Sequence, residues 1–303
     1  MRLLVSLCSS TTEAPEAIVV YDAATGRVEP ATLSDPGAGV FGLCVANSTI
    51  YCLIDHGPPS PDEPERSELC ALDSATLAVR WRYPFRVGRD VHSVAAGGHR
   101  LSVTSTGTDE VLELALDDQG RIEDERVIWR PDPAGERADR HHVNDVLIDG
   151  DRMLVSGFGP RPTPESGWKD ATAGFVRALP SGDLVMGPVY HPHSICRLSA
   201  GELALCESPR RCVVTSTGRR SELLPGYLRG LCLVGGSLFA GTSRVRRPSE
   251  EASILDYTPS HGPDDPGICA ISRLDAATLR VQEVVPLDPH GREVYDIVVL
   301  PPV

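Results

Sequence analysis

The feature that most constrains this chain is a pair of interleaved repeats along its whole length. One is a tight-turn signature: YDAATGRV at 21–28, LDSATLAV at 72–79, LDDQGRI at 116–122, LPSGDLV at 179–185, TSTGRR at 215–220 and LDAATLRV at 274–281. Each copy lies between two β-rich runs. Its Asp, Ser, Thr and Gly suit a hairpin turn, through side-chain caps and tolerance of positive φ. The other is a strand entrance: FGLCVA at 41–46, HSVAAG at 92–97, NDVLID at 144–149, HSICRL at 193–198, RGLCLV at 229–234 and YDIVVL at 295–300. A second strand, such as TIYCLID, RMLVSGF or SLFAGTS, follows almost every entrance. Short strands recurring at a unit length of about 50 residues match four-stranded propeller blades.

Six entrances predict a six-bladed, all-β propeller formed as one domain by residues 1–303. With strands named A to D outward from the channel, the last blade takes strand A from 295–300. Its B, C and D strands come from MRLLVSLC, EAIVVYD and the segment after the 21–28 turn. Closure by pairing the two ends of the chain removes the open edges that a linear array would expose.

A hydrophobic content of 41% supplies the core that this fold needs. A net charge of −13 leaves no basic surplus to neutralise nucleic-acid phosphates or an anionic membrane, so neither is expected as a partner. Arginine dominates the basic residues and Lys169 is the one lysine, which confines lysine chemistry to its loop. The nine cysteines form no CxxC pair and fall mostly in apolar strand runs, where a thiol behaves as a small hydrophobe. Their odd number and irregular spacing point to a reducing, cytoplasmic setting. The opening MRLLVSLC reads as a strand, and no apolar run is long enough for a membrane helix.

Blade order turns the repeats into a site prediction. If the A strands start at one mouth of the channel, the D-to-A connections and the B-to-C loops share that face. The long insertions at 55–66, 157–172 and 243–267 are all B-to-C loops, and long loops on one rim of a rigid scaffold carry binding residues. His56, His92, His141, His142, His191, His193, His261 and His290 map to that rim or just beneath it, and His99 to the far face. The first residue of each entrance points into the funnel: Phe41, His92, Asn144, His193, Arg229 and Tyr295. Two imidazoles, an amide, a guanidinium and a phenol suit proton transfer and anion recognition. His142 joins them if its strand begins early. The adjacent Asp145 and Asp296 are expected to turn away and cap backbone N–H groups.

One key residue opening each A strand, followed by a small one, resembles the gluconolactonase-type six-bladed propellers. That resemblance implies a divalent metal in the funnel, held by Glu, Asn and Asp at such entrances. Asn144 matches the Asn by type, whereas Phe41, His92 and His193 replace the acidic positions. The departure moves an implied metal from calcium toward Zn, Mn or Fe, with His92, His193 and Asn144 as its ligands. The segments HHVND, YLRGLC, SRVRR and EVYDI also resemble a bacterial propeller family to which no chemistry is assigned.

The ring predicts an enzyme acting on a small anionic substrate, with hydrolase, lyase or isomerase chemistry. Arg229 would hold a carboxylate or phosphate, and His92 and His193 would act as acid and base or as metal ligands. Tyr295 would move a proton or stabilise an oxyanion. Phe41, Asn144 and His142 would line the substrate space. Arg246, with Arg244 and Arg247, either adds positive field above the funnel or pairs with Glu250, Glu251 and the acidic pair at 264–265. The alternative is a non-catalytic propeller that binds a peptide, protein or small ligand on its histidine rim. A third reading makes His191/His193 and His141/His142 soft-metal pairs for storage or sensing.

Overall fold

The computed structural model describes residues 1–8, 17–31, 33, 39–56, 67–163, 167–244 and 266–302. Three strands, β1 (Arg2–Leu7), β2 (Ile18–Asp22) and β3 (Arg27–Ala31), come first and are completed only by the last strand of the chain. Blade I is β4 (Gly39–Ala46), β5 (Thr49–Asp55), β6 (Ser67–Asp73) and β7 (Val79–Pro84). Blade II is β8 (Val91–Gly97), β9 (Arg100–Ser105), β10 (Glu110–Leu116) and β11 (Ile122–Trp129). Blade III is β12 (Val143–Asp149), β13 (Arg152–Gly157), β14 (Gly174–Leu179) and β15 (Asp183–Val189). Blade IV has only β16 (Pro192–Ser199), β17 (Glu202–Glu207) and β18 (Cys212–Thr215). Blade V is β19 (Tyr227–Val234), β20 (Ser237–Ser243), β21 (Ala270–Asp275) and β22 (Val281–Pro286). The final strand, β23 (Val294–Val299), pairs antiparallel with β1 from Leu3↔Val299 to Leu7↔Val294, making blade VI and closing the ring.

Blade IV departs from the four-stranded expectation. After the 215–220 turn its outer strand shrinks to one bridge, Val214↔Arg220. Ser221 then serves in place of a strand: its N–H donates to the Val213 carbonyl and its hydroxyl accepts from Val213 N–H. Pro225 follows, without an N–H to extend the ladder.

Blades pack face to face, so both faces of a strand are apolar and the inner strands read as continuous hydrophobic runs. On β1, Leu3 and Val5 point toward blade V and meet Tyr21, Phe239 and Ile271, while Leu4 points toward blade I and meets Val40, Leu43 and Ile50. Equivalent clusters fill the other blade interfaces. All nine thiols are free, and six are buried within these clusters or beside them, which satisfies the reading of most cysteines as core residues. No helix among the described residues is long and apolar enough to cross a membrane.

Candidate funnel site

Every A strand breaks register at its mouth. The pairing slips between Val40 and Leu43 in β4, between Val91 and Val94 in β8, between Val143 and Asp145 in β12, between His193 and Cys196 in β16 and between Arg229 and Leu231 in β19. In β23 the slip skips Tyr295. A bulge re-aims the side chains beside it, and here it separates two consecutive residues of each entrance into two rings.

The second residue of each entrance builds a belt between blades. Ser93 Oγ donates to Asp145 Oδ1 at 2.7 Å, and Asp145 Oδ2 accepts from Ile195 N–H at 2.5 Å. Ser194 Oγ accepts from Gly230 N–H at 2.7 Å, and Asp296 Oδ2 accepts from Leu43 N–H at 2.8 Å. Gly230 and Gly42 occupy the remaining places because the neighbouring backbone is too close for a side chain. A Cβ on Gly42 would lie 2.7 Å from both the His92 carbonyl oxygen and Ser93 Cα. Asp145 and Asp296 thus cap backbone N–H groups, as expected. Burial raises both carboxyls, Asp296 to about 7.

The first residues build the funnel wall, with one exception. Phe41 stacks on His92 at 5.5 Å between ring centroids and meets Tyr295 at 4.7 Å; His92 and Tyr295 are 5.6 Å apart. His92 also meets His142 at 5.3 Å, His142 meets Phe158 at 4.3 Å, and Phe158 meets His193 at 5.2 Å. His193 meets Tyr227 at 5.8 Å, and the Arg229 guanidinium lies 5.1 Å from the centroids of both Tyr227 and Tyr295. These contacts close a circuit around the funnel. Phe41, His92, His193, Arg229 and Tyr295 all take part, and so does His142.

Asn144 does not. Its amide donates to the Pro192 carbonyl at 2.9 Å and accepts from Ser156 Oγ at 2.7 Å, and the residue is 1% exposed. It clamps blade III to blade IV, and His142 and Phe158 take its place in the wall. Arg229 also differs from a free anion clamp. Its Nη1 lies 3.3 Å from Glu293 Oε2 and 3.4 Å from Cys8 Sγ, while its Nε is buried without a hydrogen-bond partner among the described residues. Arg246 and His261 lie outside the described residues.

An upper tier stands two residues before each entrance: Gly39, Asp90, His142, His191, Tyr227 and Glu293. Asp90, His142 and His191 have positive φ (47°, 51° and 46°), a local twist that directs them at the same space. The sequence reading missed Asp90, Tyr227 and Glu293, although the i, i+2 spacing from His92, Arg229 and Tyr295 was visible. It also missed Phe158 and Trp168, which reach in from the 157–172 loop. Trp168 packs 4.9 Å from His142, and its carbonyl accepts from His191 Nε2 at 2.7 Å.

Charge within the funnel is sharply divided. Burial opposes the Asp90 charge, but the charge and hydrogen bond of His92, with His142 and Arg229, outweigh it and hold the carboxyl at about 2. That carboxylate remains 42% exposed to the funnel. His92 Nε2 lies 3.1 Å from Asp90 Oδ1; with its N–H donated there, Nδ1 carries the lone pair. Burial depresses His193 well below the usual imidazole range and lowers His191 to about 4, so both are neutral at pH 7. Burial raises the Tyr295 phenol and keeps its proton on. It also opposes the Arg229 charge, but Cys8, Tyr227, Glu293 and Tyr295 more than offset that and keep the guanidinium charged.

The ligand set expected for a metal does not fit this geometry. Asn144 is committed on both sides, His193 Nδ1 is 2.7 Å from Ser208 Oγ, and His92 Nε2 is on Asp90. Among the described residues no three His, Cys, Asp or Glu side chains are grouped to hold a metal ion. The histidine pairs are likewise engaged, His141 with Asp109 and His142 with Asp139.

Comparison with known proteins agrees with the architecture. A chain in the crystal structure of a nidogen/laminin complex superposes with a TM-score of 0.63 at 10% identity, covering 98% of this chain and 97% of that one. A luciferin-regenerating enzyme superposes with a TM-score of 0.56 at 12% identity, covering 85% of this chain and 78% of that one. At these identities the likeness concerns the fold alone. A family model described as Domain of unknown function (DUF4915) matches residues 82–303, which include every funnel residue named above except Cys8, Gly39 and Phe41. No curated protein matches in sequence.

Proposed function

We propose that this chain, which belongs to the DUF4915 family, is an enzyme that performs acid–base chemistry on a small oxyanion-bearing metabolite in its funnel. The observation that carries the reading is a set of three buried polar atoms without hydrogen-bond partners among the described residues: His92 Nδ1, Tyr295 OH and Arg229 Nε. Leaving such atoms unsatisfied costs about 1–3 kcal/mol each, and they lie on side chains already in contact. One is a lone pair and two are donors.

Each group has a chemical role. His92 Nδ1 accepts a proton from the substrate or from water, and the Asp90 carboxylate stabilises the imidazolium that results. The protonated Tyr295 and the charged Arg229 donate to the oxygen on which negative charge develops, where preformed donors contribute most. His193, held by Ser208 and neutral, hydrogen-bonds the substrate without adding a second charge. A base opposite two oxyanion donors serves hydrolysis, elimination and isomerisation alike.

Thermal unfolding with a panel of small carboxylates, sugar acids and phosphate esters tests the reading. A true ligand at 100 times its Kd adds about 2.7 kcal/mol, a rise of roughly 4–5 °C for a chain of this length. Tyr295→Phe should weaken that ligand about tenfold, and His92→Gln should slow its turnover at least 100-fold. A folded protein that no member of the panel stabilises, or turnover unchanged in His92→Gln, overturns the proposal.

A further inference from the structure

Cys8 differs from every other thiol in the chain. Six of the nine are buried, and Cys44 and Cys232, though half-buried, have thiols pushed up to about 12 by burial. Cys8 instead sits at the funnel mouth just past β1, tied there by its N–H to the Glu293 carbonyl at 3.1 Å. Its sulfur is 3.4 Å from Glu293 Oε2 and 3.4 Å from Arg229 Nη1, and those two atoms are 3.3 Å from each other. A thiol, a carboxylate and a guanidinium therefore form one compact triangle. Glu293 is 5% exposed, so its contact with the thiol is shielded from bulk water.

A second observation gives the triangle a ligand. Tyr295, two residues after Glu293 and 6% exposed, holds its unpartnered hydroxyl in the same space. The charges of Arg229, Cys8 and Asp90 all act on that phenol. Nucleophile, base and oxyanion donors thus converge from blades V and VI.

We propose that Cys8 is a catalytic nucleophile for acyl transfer, so that the substrate class is a small carboxylic ester, lactone or thioester. The inference rests on the oxyanion role of Tyr295 and Arg229 given above. Glu293 takes the thiol proton as Sγ bonds to the acyl carbon, and the carbonyl electron pair moves to oxygen, where Tyr295 OH and Arg229 Nε receive it. The tetrahedral adduct collapses as the bond from carbon to the leaving group breaks, and the leaving atom takes the proton from Glu293. Water then attacks the thioester while His92 Nδ1 accepts its proton. The sulfur departs and recovers that proton, so the net reaction consumes only water.

The test uses the full chain with p-nitrophenyl acetate, followed by nitrophenol release and intact mass. Expected are a saturable burst of one equivalent and a 42 Da adduct, the mass of an added acetyl group, mapped to Cys8. The burst should vanish in Cys8→Ala, fall about 100-fold in rate in Glu293→Gln, and leave a long-lived adduct in His92→Gln. A burst that survives in Cys8→Ala, or an adduct on another residue, overturns the nucleophile. If small anions raise Tm through Tyr295 while Cys8 is never acylated, the nucleophile falls and the acid–base reading stands. Acylation of Cys8 at an undiminished rate in Tyr295→Phe, with no anion-dependent shift in Tm, removes the oxyanion role and the proposal with it.

Discussion

Replacing Asp145 with alanine removes the acceptor that ties three consecutive blades together, and the structure sets the scale of the loss. Ser93 Oγ from blade II and Ile195 N–H from blade IV both donate to this carboxylate, at 2.7 and 2.5 Å. Hydrogen bonds to a charged group contribute about 1.5–3 kcal/mol each, and both donors belong to residues less than 9% exposed. Two effects reduce the sum. Burial already raises the Asp145 carboxyl, so its removal relieves a desolvation penalty, and the half-buried side chain borders the channel, whose water replaces part of what is lost. The expected net cost is about 2–4 kcal/mol. With an unfolding entropy of about 0.6 kcal/mol/K for 303 residues, this lowers Tm by roughly 5 °C. Urea denaturation of wild type, Asp145→Ala, Ser93→Ala and the double variant isolates the link between blades II and III. The coupling energy should be about 1–2 kcal/mol. A single-variant cost below about 0.5 kcal/mol, or additive behaviour of the pair, would refute the belt as a source of stability.

Three further outcomes follow from named contacts. Gly42→Ala places a Cβ against the blade II backbone at His92 and Ser93, so it should cost about 1–3 kcal/mol by urea denaturation, whereas the same change at Gly235, which meets nothing within 4 Å but has φ near 58°, should cost about 1 kcal/mol. Phe158→Ala removes a fully buried ring packed on His142, His191, His193 and Trp168 and should cost about 3–5 kcal/mol by calorimetry, with a loss of near-ultraviolet dichroism. The Asp296 carboxyl, raised by burial to about 7, favours folding most below about pH 4 and loses that contribution as pH rises to 7, by up to about 1.4 kcal/mol per unit before channel water is allowed for. His191, lowered to about 4, acts oppositely: its contribution is complete above pH 6.5 and is lost as pH falls toward 4. Urea titrations of wild type and Asp296→Asn from pH 4 to 8 should therefore show the difference in stability shrinking as pH rises.

The fold was legible because a propeller repeats its instructions. Each turn and each entrance appears six times, so an ambiguous copy is read through the others, and the pairing of MRLLVSLC with YDIVVL follows from counting. Blade IV shows the limit: Pro225 was visible, but nothing local said that Ser221 would replace a strand. At the site, five of six entrance residues reached the funnel because they share one register. Asn144 shares it too and still leaves the wall, because a short amide between Pro192 and Ser156 finds two buried partners that an imidazole or a ring would not fit. Such a choice depends on what lies opposite in three dimensions, which spacing along the chain does not encode. Asp90 and Glu293 were missed for a different reason. They precede the apolar strand run, in segments that read as loop, and the positive φ at Asp90 is a product of packing.

The two rings explain how the funnel keeps unsatisfied groups apart. His92 Nδ1, Tyr295 OH and Arg229 Nε would lower the free energy of the protein by bonding to one another, yet none does. Rotation toward a partner is blocked on every side: His92 is wedged among Phe41, His142 and Tyr295, and Arg229 between two tyrosine rings. Collapse of the backbone is blocked from below, because the residue after each of these three belongs to the belt, where Ser93, Gly230 and Asp296 fix one blade against the next. Each entrance therefore spends one residue on chemistry and the next on rigidity. A substrate carrying an oxyanion and a transferable proton supplies the three missing partners at once, and its binding free energy includes the relief of a penalty the empty funnel already bears.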